Sequence, residues 1–292
     1  MKYIFSFLTF LLLTSGYAQT DPIFFNLNNL NPAFVSSKDK LSVGVNYFVD
    51  RMDFESMDTS EFSSKIFRAN VYTTINDKFG IGLAFSNLNY DVIKEKNLHL
   101  DLSYKYAFSS GMSLSFGSSI GFNKVKTSLY DFFLLPDGDL GSDNALDDIN
   151  DTRIQYGFGL YYAYKKLQFG LSIPNLNKKN LEGVDIPSDF VISGLLEQTL
   201  SEKAKLEFGV YYVVLSDYDD QYYLSANVLI KNIIGVGINY KRDVFGIQLN
   251  SPKIADLFVV GFKIDFVDID YLSDYNNNLM VFGNLEAKPI FN

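Results

Sequence analysis

Two groups of side chains in this sequence are of types that do chemistry. The first is acidic: Asp137, Asp139, Asp143, Asp147, Asp148 and Asp151 crowd one segment, with Asn144 and Asn150 among them. Clustered carboxylate and amide oxygens suit Ca²⁺, a hard cation that takes about six to eight oxygen ligands. Measured against the calcium loop that joins two helices, Asp137, Asp139, Asp143 and Asp148 fall at ligand positions one, three, seven and twelve. Gly141 replaces the fifth ligand, however, Ser142 replaces the required glycine, and the flanks read as strands. The preferred reading is a solvated acidic loop, with an irregular surface calcium site on Asp137, Asp139, Asp143, Asp147 and Asp148 as the alternative.

The second group is His99 and Asp101, two apart and so on one face of a strand. A base oriented by a carboxylate is what a hydrolase needs, but Ser103 is too far along the same strand to be its nucleophile. A triad cannot be assembled from one strand. The competing reading is a polar lining in which Arg68, Lys105, Lys205, Glu207, Lys263 and Asp265 neutralise one another inside a barrel. Glycines alternate along strands rather than sitting at a strand-to-helix turn, so there is no phosphate loop. With no Cys in the chain, thiol nucleophiles, disulfides, Cys zinc sites and a lipid-anchored Cys are excluded. A net charge of -9 without a Lys/Arg stripe argues against nucleic acid as a partner. The reading is a non-enzyme without cofactors.

The elements that carry these residues are strands. From Phe67 to Asn76, the residues Phe67, Ala69, Val71, Thr73 and Ile75 share one face, and Arg68, Asn70, Tyr72, Thr74 and Asn76 the other. The same period of two places Leu98, Leu100, Leu102, Tyr104, Tyr106 and Phe108 opposite His99, Asp101, Ser103, Lys105 and Ala107, and it recurs at 79–86 and 112–122. A soluble sandwich alternates too, with its apolar face inside. Three features favour a membrane barrel with the apolar face outside. The segments reach ten residues or more, aromatic residues crowd their ends, and the opposite face is rich in Gly, Ser and Ala.

Compartment follows from the first residues. Lys2, the apolar run Ile4 to Leu13 and the small residues of Gly16-Tyr17-Ala18 read as a secretory signal peptide over 1–18. An N-terminal anchor is the alternative, but the run is shorter than the roughly 20 residues a spanning helix needs. Residues 19–39 are expected to form a periplasmic N-terminal segment and 40–292 an outer-membrane β-barrel.

Tight links are expected at Asn76-Asp77-Lys78, Ser109-Ser110-Gly111, Lys165-Lys166, Ser201-Glu202 and Lys231-Asn232. Longer ones are expected at about 50–63, 91–96, 126–152 and 175–189. Short turns on one side and longer loops on the other describe an all-β, antiparallel, up-and-down transmembrane barrel, with about 14 strands and 12 or 16 as alternatives.

Asp21-Pro22-Ile23-Phe24 followed by Asn31-Pro32-Ala33-Phe34 resembles the start of the PorP/SprF family, outer-membrane barrels of the Bacteroidetes associated with type IX secretion and gliding. The run Phe169 to Ile173 with Pro174-Asn175-Leu176 is similar to a strand that this family ends in a Pro-Asn-Leu turn, and Pro187-Ser188 falls near its Pro-Ser pair. A Ser-His-Glu-Ile run, frequent near the family's C-terminus, is absent. The resemblance implies an accessory barrel that helps a secreted or cell-surface protein reach or stay at the surface, with type IX components and the lipid bilayer as partners. In physical terms Asn31-Pro32 fixes a turn, read as a simple lead-in to the first strand in preference to a plug contact. The alternative function is a passive porin or small-solute transporter.

Overall fold

The computed structural model describes residues 30–37, 41–52, 62–90, 93–127, 150–178, 188–215, 220–231, 233–241, 244–254, 258–267 and 276–287. The signal peptide, Asp21, Pro22, Phe24, Pro187 and the acidic run Asp137, Asp139, Asp143, Asp147 and Asp148 lie outside those residues.

Among the described residues, strands follow one another from Leu41 onward without helical interruption. They are β1 (Leu41–Met52), β2 (Phe62–Ile75), β3 (Phe79–Tyr90), β4 (Ile93–Ala107), β5 (Met112–Thr127), β6 (Asn150–Tyr164) and β7 (Leu167–Ile173). The second half is β8 (Phe190–Ser201), β9 (Ala204–Val214), β10 (Gln221–Ile230), β11 (Ile234–Lys241), β12 (Val244–Ile254), β13 (Phe258–Val267) and β14 (Asn276–Ala287). Each pairs antiparallel with its neighbours in sequence, and β1 closes on β14 from Leu41↔Ala287 to Val49↔Leu279, giving the 14-strand closed barrel that the sequence suggests. Closure leaves no sheet edge to lose its hydrogen bonds in hydrocarbon.

The wall is turned inside out relative to a soluble protein. On β5, Phe116, Ile120 and Phe122 are about half exposed, whereas Ser115 and Asn123 on the opposite face are buried. On β4, Leu98, Leu102, Tyr104 and Tyr106 are exposed and Asp101 and Ser103 are buried. β6 repeats the division, with Ile154, Tyr156, Phe158 and Leu160 outside and Tyr161 within. Aromatic pairs gather at the short-turn ends: Phe79 with Tyr104 at 5.0 Å and Tyr106 with Phe108 at 4.8 Å between ring centroids. That is where an interfacial girdle belongs.

All five tight links occur where expected. At the β2–β3 turn Asn76 and Asp77 have φ of 50° and 55°, the left-handed pair that a type I′ hairpin requires and that Asn and Asp tolerate best after glycine. The opposite rim carries the longer connections, but the one expected at 91–96 is shorter. β3 runs to Tyr90 and β4 starts at Ile93, with Asn87↔Lys96 and Asn89↔Lys94 still in register. Asn87, Asn89, Lys94 and Lys96 make the face that carries Leu83 and Leu98 polar, while the apolar Leu88 and Ile93 fall on the other face, so the apolar-out pattern is lost here. The strands continue past the apolar band of about 25 Å, and beyond it neither face meets lipid.

The expected lead-in is also corrected. The described part of 19–39 does not sit outside the barrel: Pro32–Ser37 forms a short 3-10 helix inside the lumen, with Asn31 through Ser36 buried. It lies against β2, β3, β4, β5 and β6. Its Ala33, Phe34 and Val35 join Tyr72, Tyr161, Tyr211 and Tyr223 in the apolar cluster at the centre of the lumen.

Candidate functional site

The site is the lumen and the segment that fills part of it, hereafter the plug. Its start follows from two residue types. Asn31 caps the 3-10 helix: its side-chain oxygen accepts the Ala33 N–H at 2.9 Å, and its carbonyl accepts the Phe34 N–H at 3.0 Å. Pro32 follows at the first helical position, where a missing N–H costs nothing and φ is already set. The Asn31 amide nitrogen then donates across to the wall, to the carbonyls of Leu160 at 2.9 Å on β6 and Leu171 at 3.3 Å on β7. Ser172 on β7 returns a bond from its hydroxyl to the Leu30 carbonyl at 2.6 Å.

The wall is cut to receive the plug. A Cβ on Gly117 would meet the Ala33 nitrogen at 2.2 Å, and one on Gly159 would meet the Asn31 side-chain oxygen at 2.0 Å. Either contact is too close for real atoms, so only glycine allows this approach. Around that seat Phe34 packs edge-on against Tyr161 at 5.2 Å and Tyr72 at 6.2 Å. Next to it Tyr211 and Tyr223 stack at 5.1 Å, the Lys263 ammonium lies 5.2 Å above the Tyr223 ring, and the Tyr223 hydroxyl donates to Asn239 at 2.8 Å.

On the long-loop side of the plug a cavity of about 230 Å³ remains, floored by Leu30 and Pro32 and walled by Arg68, His99, Asp101 and Gln155, among others. His99 and Asp101 are together, as expected for one face, with His99 Nε2 at 3.5 Å from the Asp101 carboxylate. The Ser103 hydroxyl is buried without a hydrogen-bond partner and so is not linked to His99. Above the pair, the Asn123 amide donates to Glu95 and Asn97, and the Asn97 amide donates to Ser86 at 3.3 Å, a polar ladder towards the long-loop rim. Among the described residues no group of three His, Cys, Asp or Glu side chains is placed to hold a metal ion.

Pro174, Asn175 and Leu176 also belong to this site. β7 stops at Ile173, where Pro174 has no N–H to continue the ladder. Pro174 and Asn175 line the cavity, while the Leu176 N–H donates to the Tyr156 carbonyl at 2.7 Å on β6. Asn177 then imitates a strand: its side-chain oxygen accepts the Tyr156 N–H at 3.1 Å and its amide donates to the Ile154 carbonyl at 2.5 Å. The two stretches that carried the family resemblance, about 140 residues apart, thus meet inside the barrel through Asn31, Leu171 and Ser172. Sequence reasoning missed this contact. Its signal is the run of wall glycines, which in the sequence alone reads as a small-residue lining.

Among solved structures, the chain is similar to the Pseudomonas putida toluene transporter TodX, at 10% identity with a TM-score of 0.55, covering 90% of this chain and 94% of that one. It is similar to the monoaromatic hydrocarbon channel CymD at 12% identity with a TM-score of 0.57, covering 94% and 95%. A Pseudomonas aeruginosa FadL homologue gives 13% identity and a TM-score of 0.51, covering 88% and 92%. At such identities the likeness establishes the fold, that of outer-membrane barrels. No curated protein matches the sequence. The profile of the type IX secretion system membrane protein PorP/SprF matches residues 14–284, nearly the whole chain, and on that ground the protein belongs to the PorP/SprF family of outer-membrane β-barrels.

Proposed function

We propose that this barrel is a non-catalytic accessory of type IX secretion or gliding, assisting the export or surface attachment of a partner protein. The observation that carries the reading is the plug. A conduit for protein needs a clear lumen, whereas here Asn31–Ser36 are buried within it and are bonded to β6 and β7. The surfaces left to engage a partner are the rims and the cup above the plug. His99 and Asp101 serve that cup as a polar lining, since Ser103 makes no bond that would activate it. No cofactor is required. Deleting the gene and comparing surface proteomes tests this. A specific exported protein should disappear from the surface and be captured by the tagged barrel; unchanged surface proteins would refute it.

A second reading has one observation in its favour. The cavity above the plug is large enough for a small solute, and TodX and CymD are channels for hydrocarbons. Solute flux into liposomes containing the purified barrel separates the two readings, because a plugged accessory gives none.

A further inference from the structure

We propose that the short-turn rim is a basic docking ring for an acidic surface of a soluble periplasmic protein. The basis is where the charge sits. The protein carries a net charge of -9, yet the turns on this rim and the strand ends beside them hold Lys78, Lys165, Lys166, Lys203, Lys205 and Lys231, all exposed. Against them stand Asp77, Glu197, Glu202 and, at the end of β14, Glu286. On the opposite rim the connection at 128–149 holds acidic residues and no Lys or Arg, while the exposed lysines Lys94, Lys96, Lys124 and Lys126 are confined to the strand ends of β4 and β5. In barrels of this kind the short turns face the periplasm, so the basic end is the inner one.

The lysines also converge. Lys203, Lys205 and Lys231 surround a hollow of about 240 Å³ together with Glu202, Ala204 and Leu229. The Lys231 N–H donates to the Lys203 carbonyl at 2.6 Å, which holds two of the stems side by side across neighbouring turns. Nearby, the Lys166 ammonium donates to the Thr199 hydroxyl at 2.5 Å.

Bilayer phosphate is the obvious competitor for such a ring, and the placement of Lys205 argues against it. Lys205 pairs with Leu229, and Glu207, Gly209 and Tyr211 follow it at the two-residue spacing that marks the lumen-facing side of β9. Glu207 accepts the Asn227 amide at 3.0 Å from that same side. The hollow therefore opens into the mouth of the barrel, whereas lipid headgroups surround its outside. A carboxylate-bearing loop or tail of a protein is the ligand chemistry that reaches it. Such an interaction is long-range, weakens with salt and speeds encounter.

The test uses the full-length barrel in nanodiscs of phosphatidylcholine and a fluorescent oligoglutamate peptide as probe, read by anisotropy. The variant is the triple reversal Lys203→Glu, Lys205→Glu and Lys231→Glu, its folding checked by heat-modifiable gel mobility. Wild type should bind the peptide, losing about tenfold or more in affinity between low and physiological salt, and the triple variant should lose about tenfold or more at low salt. A less drastic set of Lys→Gln changes at the same positions should fall between the two. Equal binding by wild type and variants would overturn the proposal. So would a variant that alters only the retention of phosphatidylglycerol in mixed-lipid discs and leaves the peptide unaffected, since that would make the ring a lipid contact. Neither result bears on whether a partner is exported, so the accessory reading stands or falls separately.

Discussion

At the scale of single residues, the plug depends on a few polar atoms and on two missing side chains. Asn31 caps the 3-10 turn with one end of its amide and bonds to two strand carbonyls with the other. Asn31→Ala removes all of this and is expected to lower stability by about 1–3 kcal/mol, read as a shift in the denaturant midpoint in detergent micelles. An unchanged midpoint would mean that the plug contributes nothing to the fold. Gly159→Leu tests the seat from the other side. Its side chain must occupy the space of the Asn31 oxygen, so the plug should be displaced and become cleavable by added protease while the barrel stays folded. Little of this was visible in the sequence. Asn31-Pro32 reads as a turn wherever it occurs, and the glycines that receive it stand on strands far away in the chain, so no local pattern ties them together. His99 with Asp101 was legible because a spacing of two within one strand is a statement about one face.

At the scale of elements, strand placement could be read because lipid outside and a polar lumen inside impose the same two-residue period on every crossing. The tight turns could be read for a related reason. Asn76-Asp77 lies between two alternating runs and accepts the positive φ that a two-residue hairpin demands. The limits of β3 and β4 could not be read, since above the apolar band the outer face turns polar at Asn87, Asn89, Lys94 and Lys96 while the backbone ladder continues to Tyr90↔Ile93. The lipid-facing side of β5 provides a direct test of orientation. Ile120, 47% exposed and in the middle of its strand, should not accept a charge: Ile120→Lys should cost about 2–4 kcal/mol in folding into bilayers, and Ile120→Leu next to nothing. Equal folding yields for the two variants would place that face in water. Asp77→Gly, in contrast, should raise stability by a few tenths of a kcal/mol, because glycine adopts its left-handed conformation without strain.

At the scale of the whole molecule, a 14-strand barrel is wide enough to need filling, and this one is filled by its own N-terminal residues together with Tyr72, Tyr161, Tyr211 and Tyr223. The polar contacts of Asn31 and Ser172 and the edge-on rings around Phe34 hold that filling on β6 and β7. A barrel partly filled in this way presents its rims and the cup around His99 and Asp101 to other molecules, which is why the family's link to secretion is read here as docking rather than conduction. Single-channel recording in planar bilayers tests this most directly. The intact protein should show no steady conductance, and a variant lacking residues 30–37, confirmed as folded by its heat-modifiable mobility, should show stepwise openings. Steady channels from the intact protein, equal in size to those of the variant, would contradict the account.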